Sequence, residues 1–303
     1  MPNSSVGPIS QEGLNQLVST AFNVGGNVIN TSSGENYVTV TGARNLIGLG
    51  QGNNYLVSQG NDTVYGQGFN VDYLTGAGAS DYIVTEGTSY GTDFVTINGG
   101  RGQYDLGQNA SVVDAATVGS VIKVQANSSI SGGAGSTVTF DNAGGSGTIT
   151  GAVGDTISAS GNLSVFQGQD HVISVAGALS FLNGTGNLTI SGGAGDDHMV
   201  FGTAFSSASG DSTVTVTSEE GANSFGVLAG HSGGNITITD FDASKGDYFF
   251  QYFYDPIDSA LAVQNLLATA TVSGGYDPAT VDNNMQVTFL RVEHLDASAI
   301  HIS

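Results

Sequence analysis

The stretch from Val165 to Val200 reads VFQGQDHVI (165–173), SVAGALSFL (174–182), NGTGNLTIS (183–191) and GGAGDDHMV (192–200), four nine-residue segments in unbroken tandem. Glycine fills the fourth place of each, at Gly168, Gly177, Gly186 and Gly195. The eighth place is always large and apolar: Val172, Phe181, Ile190 and Met199. Glycine takes the positive φ of a tight turn without steric cost. An apolar residue at one fixed place in a short strand can point to the same side on every pass. Turn, short strand, turn, short strand describes a chain winding into stacked coils. The fold class expected is therefore all-β: a β-solenoid (a parallel β-roll or β-helix) with two nonamers per coil and those four apolar residues inside.

The last segment, Gly192-Gly193-Ala194-Gly195-Asp196-Asp197-His198-Met199-Val200, matches G-G-x-G-x-D-x-U-x throughout. It resembles the nonapeptide of RTX proteins, the haemolysin-type calcium-binding repeats of bacterial type I secretion substrates. That resemblance implies calcium held in the turns, with Gly193, Gly195 and Asp197 among the ligands. The sixth place, where the ligating aspartate belongs, reads Asp170, Leu179, Leu188, Asp197. With two nonamers per coil, Asp170 stacks on Leu188 and Asp197 on Leu179. A calcium ion takes about six to eight oxygens, and leucine supplies none. Apolar stacking is expected to replace metal along part of this column.

From about Asn30 to Gly107 runs a second glycine-rich array with looser spacing. It contains Gly52-x-Asn54, Gly60-x-Asp62, Gly68-x-Asn70 and Gly91-x-Asp93, and Gly78-Ala-Ser-Asp81 with one residue more. Oxygen-bearing side chains recur here, so Asn54, Asp62, Asn70, Asp81 and Asp93 are the candidate Ca2+ ligands. Asn54 and Asn70 should share one edge, with Asp62 and the region of Asp81 on the other. The competing reading is that Asn and Asp serve as turn residues, which they do without metal. Residues 108–164 continue the alternation of strands and glycine turns with few such side chains.

Three regions follow. Residues 1–30 form either a cap helix, with Leu14, Leu17, Val18 and Phe22 on one face behind Ser10, or an extended arm for assembly. Residues 31–234 are the solenoid. Residues 235–303 read as a small α+β C-terminal cap, with a helix starting at Asp255-Pro256 and strands at Thr271–Ser273 and Met285–Val292. The order ITDF, a Leu/Ala-rich helix, ATVSGG, VTFLRV and a terminal LDAS resembles the C-terminal region of type I secreted proteins, which implies a secretion signal there. The aromatic run Tyr248 to Tyr254 suits either a subunit interface or the buried core of the cap.

The chain has 303 residues, 26 acidic and five basic, a formal charge of −21, and no cysteine. Clustered Lys and Arg are what phosphate binding requires, so nucleic acid is not expected as a partner. Membrane insertion is not expected either, because no apolar run is long enough. The first twenty residues lack a basic start and an apolar core, which with the repeat type favours export by a C-terminal signal. His171 and His198 fall an odd number of nonamers apart, on opposite faces, and no HExxH occurs. Lys123 and Arg101 are isolated, so nothing supplies the cationic half of a lyase site, and no enzymatic activity is expected. The function expected is an extracellular structural protein that self-assembles into a filament, surface layer or biofilm matrix. The alternatives are a monomeric calcium-binding adhesin or glycan-binding module on a polysaccharide or cell surface, and, behind these, a polysaccharide lyase or epimerase.

Overall fold

The computed structural model describes residues 19–22, 25–31, 33–66, 70–75, 81–85, 93–98, 102–115, 119–202, 213–228, 234–252, 263–264, 267–268, 276–280, 286–292 and 295–302. The chain is a β-solenoid of parallel strands that fall alternately into two sheets. It divides into two compact units, residues 1–149 and 150–303.

In the first unit one sheet is built from Ser19–Phe22, Asn36–Val40, Asn53–Ser58, Asn70–Thr75, Phe94–Ile97, Ser111–Asp114 and Ser128–Gly132. The other contains Val28–Asn30, Leu46–Leu49, Thr63–Gly66, Tyr82–Thr85, Gln103–Asp105, Val121–Gln125 and Thr137–Asp141. Successive strands pair in parallel one coil apart, as Tyr37 with Tyr55 and Val28 with Leu46. Alternation along each strand sends one set of side chains inward. In the second sheet that set is Ile29, Ile47, Val64, Ile83, Tyr104, Ile122 and Val138, all buried. Each such aliphatic side chain contributes roughly 1.5–3 kcal/mol when fully buried.

The second unit repeats the plan. Its first sheet holds Asn162–Phe166, Leu179–Gly184, His198–Phe201, Ser224–Leu228, Tyr248–Tyr252 and Ile300–Ile302. Its second holds Thr156–Ala159, Val172–Val175, Leu188–Ser191, Thr213–Thr217, Asn235–Ile238 and Gln286–Leu290. Tyr276–Thr280 pairs antiparallel with the last of these. Two inward columns fill the core: Val165, Phe181, Met199, Phe225, Phe249 and Ile300, and opposite them Ile157, Ile173, Ile190, Val216, Ile238 and Phe289.

Several details depart from the nonamer register. Phe181, Ile190 and Met199 face the core, but Val172 is 50% exposed and Ile173 takes its place. Ile173 pairs with Ile190 at a distance of seventeen residues (190 − 173), one short of two nonamers, so the phase slips and the second of two adjacent apolar residues turns inward. Of the four fourth-place glycines only Gly186 has positive φ, while Gln167 and Asp170 take that conformation nearby. Gly195 is required for a different reason. A Cβ there would lie 2.7 Å from the Cβ of Ala178 on the neighbouring coil.

At the N-terminal end Ser19–Phe22 and Val28–Asn30 are strands, paired in parallel to Asn36–Val40 and Leu46–Leu49. Leu14, Leu17 and Val18 lie outside the described residues. At the C-terminal end Val263, Gln264, Leu267 and Ala268 are helical, and the rest of the expected helix, like Thr271–Ser273, lies outside the described residues. The aromatic strand Tyr248–Tyr252 is a coil of the solenoid, and Phe249 and Phe250 are buried. Gly226 makes room for the Phe250 ring.

Candidate functional site

The residue just before a strand sits at a corner of the coil, where the backbone turns out of one sheet before entering the other. A corner breaks the ladder, leaving N–H groups that need an acceptor. In the first unit these corners carry Asn27, Asn45, Asp62 and Asp81, stacked one coil apart. The side chains of Asn45, Asp62 and Asp81 each accept from the backbone N–H of the corner before. Asn27 N–H donates to Asn45 Oδ1 at 3.0 Å, Asn45 N–H to Asp62 Oδ1 at 2.8 Å, and Asp62 N–H to Asp81 Oδ1 at 2.8 Å. Further along, serines do the same: Gly102 N–H donates to Ser120 Oγ and Ser120 N–H to Ser136 Oγ.

The second unit has its own ladder at the corners of the first sheet. Leu179 N–H donates to Asp197 Oδ1 at 2.7 Å, Asp197 N–H to Asn223 Oδ1 at 2.9 Å, and Asn223 N–H to Asp247 Oδ1 at 2.8 Å. At the opposite corner Asp155 N–H donates to His171 Nδ1 at 3.1 Å. His171 is thus a fully buried ladder member. Burial lowers its pKa. His198, on the other sheet, bonds Ser224 Oγ at 2.7 Å and stacks on Phe250, so the two imidazoles are not paired.

Asn and Asp differ at their second polar atom. Asn45 Nδ2 donates to Gly42 O at 2.9 Å, and Asn223 Nδ2 donates to Glu220 O and Gly221 O in its own turn. An ionised aspartate has no donor to offer those carbonyls. Asp81 Oδ2 and Asp197 Oδ2 are buried with no hydrogen-bond partner. Burial pushes both carboxyls up to about 7, against the backbone bonds from Asp62 and Leu179 that favour the charged form. The negative charge of Asp62 adds to the rise at Asp81, and Asp240, Asp196 and Glu219 add to that at Asp197. Asp247 is raised as well, chiefly by burial.

The candidate calcium ligands fall among these ladders. Asp62 and Asp81 do share an edge, bridged by Ser58, whose Oγ donates to Asp62 Oδ2 at 2.8 Å and lies 3.3 Å from Asp81 Oδ1. Asn54 belongs to the other edge, where it accepts from Asn36 Nδ2 and donates to Gly50 O. In the strand ladder Asn70 faces Asn53, while Asn54 faces Val71. Asp93 is buried at a corner where its carbonyl accepts from Ser111 N–H. Gly193 O accepts from Glu220 N–H, Gly195 packs on Ala178, and Asp197 stacks on Leu179 as the repeat implies.

Among the described residues no three Asp, Glu, His or Cys side chains converge as metal ligands. Asp81 Oδ2 and Asp197 Oδ2 belong to separate columns, and the sister oxygen of each is taken by a backbone N–H. Calcium takes about six to eight oxygens, and Asp62, Asp81 and Asp197 each have one carboxylate oxygen committed to a backbone N–H. Asn45, Asn223 and Asp247 are ladder members that a search for metal ligands passes over, as it does Ser58, which bridges Asp62 and Asp81 from the end of its strand. The signal of the first three is positional: a polar residue just before a strand, repeated at coil spacing.

A cleft of about 520 Å³ within the second unit is lined by Asp240, Asp242, Arg291, Leu295 and Asp296, among others. Its carboxylates are committed to the backbone. Asp240 accepts from Ser218 and Glu219 N–H, Asp242 caps a 3-10 turn through Ser244, and Asp296 caps another through Ser298. The Ser244 bonds hold Asp242 below the usual carboxylate range. Lys123 forms an exposed pair with Asp141 at 3.6 Å. Among the described residues no helix is long and apolar enough to cross a membrane. Comparison with protein-family models, with curated proteins and with solved structures finds no match to this chain.

Proposed function

We propose that this chain is a non-catalytic structural protein of the extracellular or cell-surface type, an RTX-like secreted solenoid that associates with copies of itself. The observation that carries this reading is the outward surface of the first unit. Parallel sheets ordinarily have both faces covered, yet here large apolar side chains stand in the open. Phe94 is 51% exposed and Val121 49%, with Val28, Leu46, Tyr65 and Tyr82 also exposed. Tyr37 and Tyr55 stack on each other across adjacent coils, ring centroids 4.5 Å apart and planes 4° from parallel. Exposed apolar patches mark contact surfaces in soluble proteins. A second copy is the partner that requires no further component.

The non-catalytic part of the reading is supported by how the polar groups are used. Corner carboxylates are consumed by backbone N–H groups, and Lys123, Lys245 and Arg291 lie on separate elements. Sedimentation velocity and electron microscopy of the full chain test the proposal, with Tyr55→Lys and Val121→Lys as variants. Concentration-dependent oligomers or filaments that both variants reduce are expected. A monomer at every concentration, retained instead on an insoluble polysaccharide, would replace this reading with the glycan-binding one.

A further inference from the structure

The second sheet of the second unit has an outward face dominated by hydroxyl-bearing side chains. Its parallel strands are Thr156–Ala159, Val172–Val175, Leu188–Ser191, Thr213–Thr217, Asn235–Ile238 and Gln286–Leu290. Pairing is in register from coil to coil, so the residues that point away from the core form columns. One column is Thr156, Val172, Thr189, Thr215, Thr237, Thr288. Beside it run Ser158, Ser174, Ser191 and Thr217, with Thr239 next, its Oγ1 2.8 Å from Thr217 Oγ1. On the other flank lie Thr213, Asn235 and Gln286. Most of these side chains are exposed and none is buried.

Two properties of this face need a common explanation. The first is charge. The chain carries 26 acidic residues, yet these six strands contain no Asp, Glu, Lys, Arg or His. Outward positions of a soluble strand are where charges are ordinarily placed, and an open sheet face on a polyanion gains solubility from them. The second is regularity. Hydroxyls repeat along a column at the strand separation, about 4.8 Å, and across columns at two residues, roughly 6.6 Å. Threonine's branched Cβ restricts χ1 in a strand, so its hydroxyl and methyl recur at the same height on each coil. A soluble neutral solute needs no such two-dimensional lattice. A solid neutral surface does.

We propose that this hydroxyl-bearing face binds the surface of ice. The two repeats lie close to the spacings between water oxygens along the a and c axes of hexagonal ice. Hydroxyls placed on that grid hold first-layer waters in ice-like positions, and the interleaved methyl groups restrict those waters without competing for hydrogen bonds. Charged side chains would order water around themselves and break the match; none stands within these strands, and Glu219, which accepts from Ser191 Oγ at 2.9 Å, lies at the border of the array. Val172 interrupts the threonine column with a side chain of the same shape lacking the hydroxyl. This inference rests on residues of the second unit, none of them used in the self-association proposal, and stands without it.

The test is partition into slowly growing ice, with crystal shaping and freezing-point hysteresis read by microscopy, on the full chain. The intact protein is expected to enter the ice and facet the crystals. Thr215→Lys and Thr189→Lys should drop to the level of an excluded control protein. Val113→Lys, on an exposed position of the other unit, should partition as the parent does. Circular dichroism identifies any variant that has lost its fold, and Val172→Thr provides a reading in the opposite direction, because completing the column should increase hysteresis. Exclusion of the parent protein from ice overturns the proposal, as does undiminished partition of folded Thr215→Lys. Binding to microcrystalline chitin or cellulose without ice binding also overturns it, and assigns the face to a crystalline polysaccharide.

Discussion

Asp197 shows how one side chain can serve a repeat and strain it at once. Its Oδ1 closes the corner of the preceding coil, while Oδ2 is buried without a partner. With its carboxyl ionising at about 7 in the folded chain and near its ordinary 3.8 when unfolded, the folded state keeps a proton that the unfolded state has lost between those values. The stability this residue contributes is therefore complete below about pH 4 and lost as pH rises through about 7, with a slope near 1.4 kcal/mol per unit. Asp81 behaves in the same way. Asparagine supplies at Asp197 the donor that Asn223 uses one coil later. Asp197→Asn should therefore raise the melting temperature at pH 8, by about 1–3 kcal/mol in stability, and change little at pH 4.5. Relief of general acidic repulsion also favours low pH, but it affects parent and variant alike, so the difference between them isolates the corner. Thermal melts of both proteins from pH 4.5 to 8 check this; a variant less stable than the parent at pH 8 would show that the carboxylate is held by something other than the ladder.

Within a single strand, inside and outside differ by one residue, and the tandem repeat is where this can be measured. Phe181 fills the core column between Val165 and Met199. Phe181→Ala should cost about 3–5 kcal/mol. Val172→Ala, at the same place of the preceding nonamer but facing water, should stay within about 0.5 kcal/mol. Urea titrations of the two variants settle the register, because comparable losses would place Val172 in the core. The solenoid itself was legible in the spacing of glycine and apolar residues, since turn and inward strand position are local properties. The phase slip at Val172-Ile173 was not, because it depends on a coil one residue short, which two adjacent apolar residues conceal. The edge shared by Asp62 and Asp81 was likewise readable from spacing. The use made of it was not: a carboxylate that accepts from a backbone N–H and one that ligates a metal have the same sequence pattern. Gly195 reads from the repeat as a turn glycine of positive φ, whereas what calls for glycine there is close approach to Ala178.

For the molecule as a whole the governing quantity is a formal charge of −21, with most acidic residues lying outside the named strands. Acidic residues such as Asp196, Glu219, Glu220 and Asp242 cluster in turns, so copies that approach through sheet faces must bring these turns together as well. Repulsion between exposed charges decays over about 10 Å at 0.1 M salt and about 3 Å at 1 M. Apolar contact through Phe94, Val121 and their neighbours is not weakened by salt, so self-association should strengthen as ionic strength rises. Because the described residues assemble no multidentate carboxylate site, calcium should act here only as a counterion. Light scattering in sodium chloride, and in magnesium and calcium chloride matched for ionic strength, separates the two mechanisms. Equal assembly in magnesium and calcium is the expected result. Assembly driven by calcium at concentrations where magnesium has no effect would instead require a specific site, and would return the RTX-type turns around Asp62, Asp81 and Asp197 to the role of metal ligands.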